Sequence, residues 1–309
     1  MKSDGSRLGF SSAWAVGKYK TGRELADILK GFELSGVELE YRITEDTLKE
    51  ILPVIKKGDL TVLSLHNFFP RPPLSEGKDP NKRFFLSSPD PDIRKQAVEY
   101  TKKTIHWAGR LEVPAVVLHV GVTELSRKIR PMVQKAKKGK IKIKELQEYL
   151  QPFIREWRQK TGQYLDQVFF SLEELNREAE KEGIKLGVEN RYYFQEIPSM
   201  DQVGMILDKF QGGNIYYWHD MGHAHVLETL GFAGHQELLE RYSGRLLGIH
   251  IHDSLLIDDH RPPGMGEIDF RMVGQYLKED TIKILEISEK APEREIHKGI
   301  KYLAQNLFS

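Results

Sequence analysis

Apolar residues along this chain fall into short continuous runs, separated by longer stretches in which they recur every third or fourth position. The runs lie at 8–12 (LGFSS), 36–41 (GVELEY), 61–66 (TVLSLH), 115–121 (AVVLHVG), 185–190 (KLGVEN), 215–220 (IYYWHD), 246–253 (LLGIHIHD) and 281–288 (TIKILEIS). Their length and content predict buried strands, and the spacing predicts helices at 22–33, 91–112, 199–210, 235–246 and 293–308. Strict strand and helix alternation argues a parallel sheet, and eight units argue that it closes. The expected fold is therefore α/β, a single (β/α)8 TIM barrel over residues 1–309. No GxGxxG follows the first run, which argues against a dinucleotide site.

Two connections exceed what a barrel needs. The first, 67–91, is rich in Pro, Ser and Asp and follows the third strand, so it is expected over the barrel mouth. The second, about 122–184 after the fourth strand, is expected to be a helical insertion. It carries nine Lys or Arg between Arg127 and Lys144 and no acid there, so with a net charge of +1 the rest of the chain carries +1 − 9 = −8. This block is either a clamp for an anionic group, whether phosphate, carboxylate or nucleic-acid backbone, or a solvated helix pair or subunit contact, as in a homo-oligomer.

Composition narrows the class. With 46 basic and 45 acidic residues, no global field draws the chain to nucleic acid or an acidic membrane. Cysteine is absent, so only His, Asp and Glu remain as strong metal ligands. The first residues lack a signal-peptide core and no apolar run approaches a membrane span, so a cytoplasmic protein with no membrane contact is expected.

The chemistry gathers at strand ends. Glu189, Asp220, His250 and Glu286 close, or nearly close, the last four runs. In a parallel barrel all carboxyl ends meet at one mouth, so side chains distant in sequence can share one ion. Singly, each is as readily a salt-bridged or capping residue. Together, charged groups ending buried strands need neutralising, and a divalent cation does that directly. Oxygen and imidazole donors suit zinc or manganese first, then magnesium or cobalt. His66 and His119 end the third and fourth strands, His223 follows Asp220 by three residues, and Asp258 and His260 lie in the loop after the seventh strand. Trp14, Phe68, Phe69 and Tyr192 are candidate mouth aromatics that could pack on the apolar face of a bound ligand, or ordinary core and lid residues.

HDMGHA (219–224), GIHIHDS (248–254) and above all DDHRPPGMGEIDF (258–270) resemble the xylose-isomerase-like TIM-barrel superfamily of sugar-phosphate isomerases, epimerases and apurinic endonucleases. The resemblance covers roughly 61–290. For the epimerase-like members it implies one divalent metal held by Glu189, Asp220, His250 and Glu286, the two glutamates doubling as the acid/base pair, with His66 and His223 on the substrate. For the endonuclease-like members it implies three zinc ions: His66, His119 and Glu189 on the first; Glu189, Asp220, His250 and Glu286 on the second; His223, Asp258 and His260 on the third. One to three ions per chain are thus expected.

The detail departs from the endonucleases, which usually carry Asn where this chain has His252 and Cys where it has Gly222, and whose loop holds a histidine-containing stretch where this one reads RPPGMGE. These variants are closer to the isomerase and epimerase members, and a near-neutral chain sits poorly with gripping duplex DNA unless the 127–144 block does the gripping. The leading expectation is reversible proton transfer next to a carbonyl of a sugar, sugar phosphate or cyclitol, through a metal-stabilised enediolate, with Glu189 and Glu286 as catalytic residues. The alternatives are a zinc phosphodiesterase acting at abasic sites and a non-catalytic sugar-binding barrel.

Overall fold

The computed structural model describes residues 8–73 and 85–308, and for Ser126 and Arg127 the backbone only. The part of the expected mouth loop at 74–84 lies outside the described residues. Eight parallel strands close into a barrel: β1 (Leu8–Ser11), β2 (Gly36–Leu39), β3 (Val62–His66), β4 (Ala115–Leu118), β5 (Lys185–Glu189), β6 (Ile215–Asp220), β7 (Leu246–Ile251) and β8 (Ile282–Leu285). Each pairs with its neighbours in sequence order, and β1 closes on β8 with Leu8 opposite Lys283. All eight predicted runs are strands; seven are shorter than their apolar run, and Ile215–Asp220 matches its run residue for residue. The ladder needs two neighbours, and the chain leaves it as soon as a residue turns into the mouth.

The barrel interior explains two glycines. Trp218 on β6 is fully buried, packed with Ala115, Val117, Leu247 and Ile284. A Cβ on Gly248 would stand 2.6 Å from its Cη2 and closer still to Cζ3, and one on Gly187 2.9 Å from its Cε3. The neighbouring strands therefore yield side-chain volume so that one indole fills the section. Its ring lies 5.2 Å from that of His250 and forms a rigid floor beneath the strand-end residues.

Outside the barrel run α1 (Gly22–Gly31), α2 (Glu45–Lys56), α3 (Pro91–Arg110), α4 (Ser126–Lys137), α5 (Ile143–Glu182), α6 (Met200–Lys209), α7 (Met221–Thr229), α8 (His235–Tyr242), α9 (Phe270–Gly274) and α10 (Glu293–Asn306). Capping is local and chemical: Thr21 with Glu24, and Ser199 with Gln202, form reciprocal boxes, while Asp90 accepts from the N–H groups of Asp92 and Ile93.

The insertion is the helix pair α4 and α5, the second of 40 residues and so about 60 Å long. Leu125, which precedes α4, and Ile129, Val133 and Ala136 on it form a buried stripe that joins Leu146 and Leu150 of α5 over Tyr192, Phe194 and Ile257. Among the described side chains of the block, Lys135, Lys138 and Lys140 are exposed, while Arg130 meets Glu196 at 3.0 Å and Lys137 meets Asp259 at 2.6 Å. Among the described residues, no helix is long and apolar enough to cross a membrane.

Candidate metal centre

Four of the predicted donors converge on one point. The Nδ1 of His250 lies 2.7 Å from Glu189 Oε1, 3.1 Å from Glu286 Oε2 and 3.7 Å from Asp220 Oδ2. Glu189, Asp220 and His250 are the last or next-to-last residues of β5, β6 and β7, and Glu286 follows β8 directly. Parallel pairing thus brings together residues up to 97 positions apart (286 − 189). A second group shares Glu189: His119 Nε2 is 2.6 Å from its Oε2, and the ring of His66 meets that of His119 edge-on at 4.5 Å.

Hydrogen bonds to the far side of each ring fix which nitrogen faces the centre. His250 Nε2 stands 3.2 Å from Glu38 Oε2 and donates to it, which turns Nδ1 toward the oxygens of Glu189, Asp220 and Glu286. Glu38 is itself fully buried and held by the hydroxyls of Ser11 and Ser64. His66 Nδ1 donates to the carbonyl of Asn67, and His223 Nδ1 to that of Asn190, which presents Nε2 in both.

The electrostatics fit a cation. Burial would raise the pKa of Glu189, but His119 and Arg191, whose guanidinium contacts Glu189 directly, hold it well below the ordinary range. Asp220 is likewise held ionised against burial by His223 and His252. Burial disfavours a proton on His250, yet Glu286 and Glu38 drive its proton affinity well above normal. Three carboxylate oxygens around one imidazole nitrogen therefore call for positive charge at their centre. A divalent ion matches that donor set.

A third group forms at the hairpin after β7, whose strands are Asp253–Leu255 and Asp258–Arg261. Here one predicted residue is replaced by its neighbour. Asp259, not Asp258, joins His223 and His260, with its Oδ2 2.9 Å from His260 Nδ1 and 3.8 Å from His223 Nε2. Asp258 is instead paired with Arg261 at 2.9 Å and Lys137 at 3.4 Å, and the left-handed backbone at His260 (φ 57°) breaks the regular alternation so that Asp259 and His260 share one group. Burial opposes a charge on His260, but Asp259 raises its pKa to about 9.

Glu286 of the central group and Asp259 and His260 of the third line a cavity of about 630 Å³, together with Tyr41, Arg42, Lys137, Arg261 and Lys290. The aromatic candidates do not line it: Trp14, Phe68, Phe69 and Tyr192 are all buried in the core, and Tyr41 takes the aromatic position. Sequence reasoning also missed Glu38, Glu40 and Arg191. A signal for the first two existed, since acids two apart in GVELEY project to one side of a buried strand.

The family sequence profile described as Xylose isomerase-like TIM barrel matches residues 26–306. The chain belongs to that family. Among curated proteins it is 27% identical over 190 residues to an uncharacterised protein of Methanocaldococcus jannaschii, a match spanning 60% of this chain and about half (54%) of that relative's length. Among solved structures it is similar to a D-tagatose 3-epimerase-like protein (TM-score 0.70, 19% identity, 97% and 96% of the two chains). It is also similar to 3-keto-D-glucoside 4-epimerase from E. coli (TM-score 0.69, 14% identity, 97% and 99%) and to the IolI protein with a bound zinc atom (TM-score 0.65, 18% identity, 98% of each). At these identities the likeness establishes the fold.

Proposed function

We propose that this protein is a divalent-metal-dependent isomerase or epimerase of sugars or cyclitols, acting by proton transfer at a carbon next to a carbonyl. The observation that carries this reading is the convergence of Glu189, Asp220 and Glu286 oxygens on His250 Nδ1, with Glu286 joining this buried group to an open cavity. The epimerases among its structural neighbours support it. A divalent ion, zinc or manganese, held by these four residues would supply positive charge beside the substrate carbonyl oxygen.

The chain's own residues do the proton work. Glu189 enters ionised, because Arg191 and His119 favour its charge, and so accepts the proton. Glu286, which borders the cavity, returns one, on the opposite face for an epimerase or at the adjacent carbon for an isomerase. Most of the cations that line the cavity are already neutralised, and Lys290 is the lining cation without a carboxylate pair among the described contacts. Arg42 is paired with Glu40 and Glu289, Lys137 with Asp258 and Asp259, and Arg261 with Asp258, so these cations already have carboxylate partners.

One observation favours a second reading, a zinc phosphodiesterase acting at abasic sites: two further donor groups, His66, His119 and Glu189, and His223, Asp259 and His260, accompany the central one. The test sets both against each other. Protein reloaded with manganese or zinc is given a panel of neutral ketoses and keto-cyclitols and, separately, an abasic-site duplex oligonucleotide. Interconversion of a panel member that stops with EDTA supports the isomerase. Strand cleavage without interconversion overturns it.

A further inference from the structure

Asp220 is the donor whose surroundings are least explained by the fold alone. Its Oδ1 accepts the N–H of His223 at 2.7 Å, which caps α7. A second ring also addresses it. His252, fully buried, places Nε2 3.0 Å from Asp220 Oδ1 and 3.1 Å from Oδ2. The other nitrogen settles the tautomer. His252 Nδ1 accepts the backbone N–H of His260 at 2.9 Å, so Nδ1 is bare and Nε2 carries the hydrogen that points at the carboxylate. The ring is clamped as well, stacked on His260 with centroids 4.2 Å apart and planes 17° from parallel.

This ring fits only because residue 222 has no side chain. A Cβ on Gly222 would stand 2.5 Å from His252 Nδ1 and closer still to Cε1. Gly222 lies in the first turn of α7, where alanine would favour the helix by about 1 kcal/mol. Its φ is not in the left-handed region, so no backbone requirement explains the glycine. The space above it is the explanation.

We propose that His252 is the positioning residue for Asp220, and that Gly222 is glycine in order to admit it. The proposal rests on the reading above, in which Asp220 helps to hold a divalent ion. With its N–H shared between both oxygens, His252 fixes the plane of the carboxylate and sets the direction in which Oδ2 faces His250. The two residues form one device, since enlarging position 222 and removing the imidazole donor withdraw the same hydrogen bond.

The test is calorimetric titration with manganese alone, on wild type, His252→Leu, His252→Gln, Gly222→Ala and the double variant Gly222→Ala/His252→Leu. Leucine fills space without a donor, while glutamine carries an amide N–H about as far from the backbone as Nε2. His252→Leu and Gly222→Ala are each expected to weaken binding by about 10-fold to 100-fold, the range for losing an outer partner of a ligand. His252→Gln is expected to restore most of that loss. The double variant is expected to bind as the weaker single does, because both changes act on one bond, whereas two unrelated packing defects would multiply. Unchanged affinity in His252→Leu, failure of glutamine to rescue, or multiplying losses would each overturn the positioning role while leaving the metal site standing. If wild type binds no manganese and no zinc, the underlying reading falls instead.

Discussion

Glu40 offers a stability test that needs neither substrate nor metal. It sits just past β2, 2% exposed, with Oε1 accepting the backbone N–H of Arg42 at 3.0 Å and its Nε–H at 2.9 Å, while Oε2 has no hydrogen-bond partner among the described residues. Burial outweighs Arg42 and pushes its pKa from 4.5 up to about 7. The folded protein therefore binds a proton more tightly than the unfolded chain does. Between about pH 4.5 and 7 the native state holds more protons than the unfolded state, so stability falls as pH rises through that window. The gap corresponds to about 3 kcal/mol. Glu40→Gln cannot ionise, and it weakens the Arg42 contact by an offset that does not vary with pH. Urea unfolding of both proteins in EDTA, at about pH 4 and about pH 8, should show the variant gaining about 3 kcal/mol relative to wild type between the two conditions. A difference that stays flat with pH would refute the argument and show Glu40 ionising as an exposed carboxylate does.

Other outcomes follow from the same geometry. Glu189→Gln should lower turnover on any accepted sugar by about 100-fold to 10,000-fold in a steady-state assay, since it removes a proton acceptor as well as a ligand. Gly248→Ala, which drives a methyl group into the Trp218 ring, should lower stability by about 1–3 kcal/mol in urea unfolding, the clash outweighing the roughly 0.5–1 kcal/mol that alanine gains over glycine within a strand. In metal-free protein followed by NMR titration, Asp259→Asn should drop the His260 pKa from about 9, whereas Asp258→Asn should leave it nearly unmoved; equal effects would show that both aspartates face the ring.

The barrel was readable because each strand announces itself twice, once as an apolar run and once as the polar residue that ends it. Glu189, Asp220 and His250 were legible for that reason, and parallel pairing brings them together without any information beyond strand order. The hairpin after β7 was not, because choosing Asp259 over Asp258 requires knowing which residue of an antiparallel strand faces inward, and both are aspartate. Glu38 was missed for the opposite reason: an acid inside a strand is read as an outward residue, and only its spacing from Glu40 signalled that it faces the barrel interior, where it holds His250 Nε2. The basic block was legible as charge but not as structure. Its apolar positions at 125, 129, 133 and 136 pack it onto the barrel, and Arg130 and Lys137 meet acids there.

The central claim is that a cation held by Glu189, Asp220, His250 and Glu286 lets these glutamates move a proton on a carbon next to a carbonyl. Solvent deuterium exchange reads that event directly, even where the net conversion is small. Manganese-loaded or zinc-loaded protein in D2O, given the ketose and cyclitol panel and followed by mass spectrometry, should place deuterium at the carbon beside the carbonyl of its substrate. EDTA, Glu189→Gln and Glu286→Gln should each abolish the label. Metal-loaded wild type that labels no panel member but cleaves an abasic-site oligonucleotide would contradict the account.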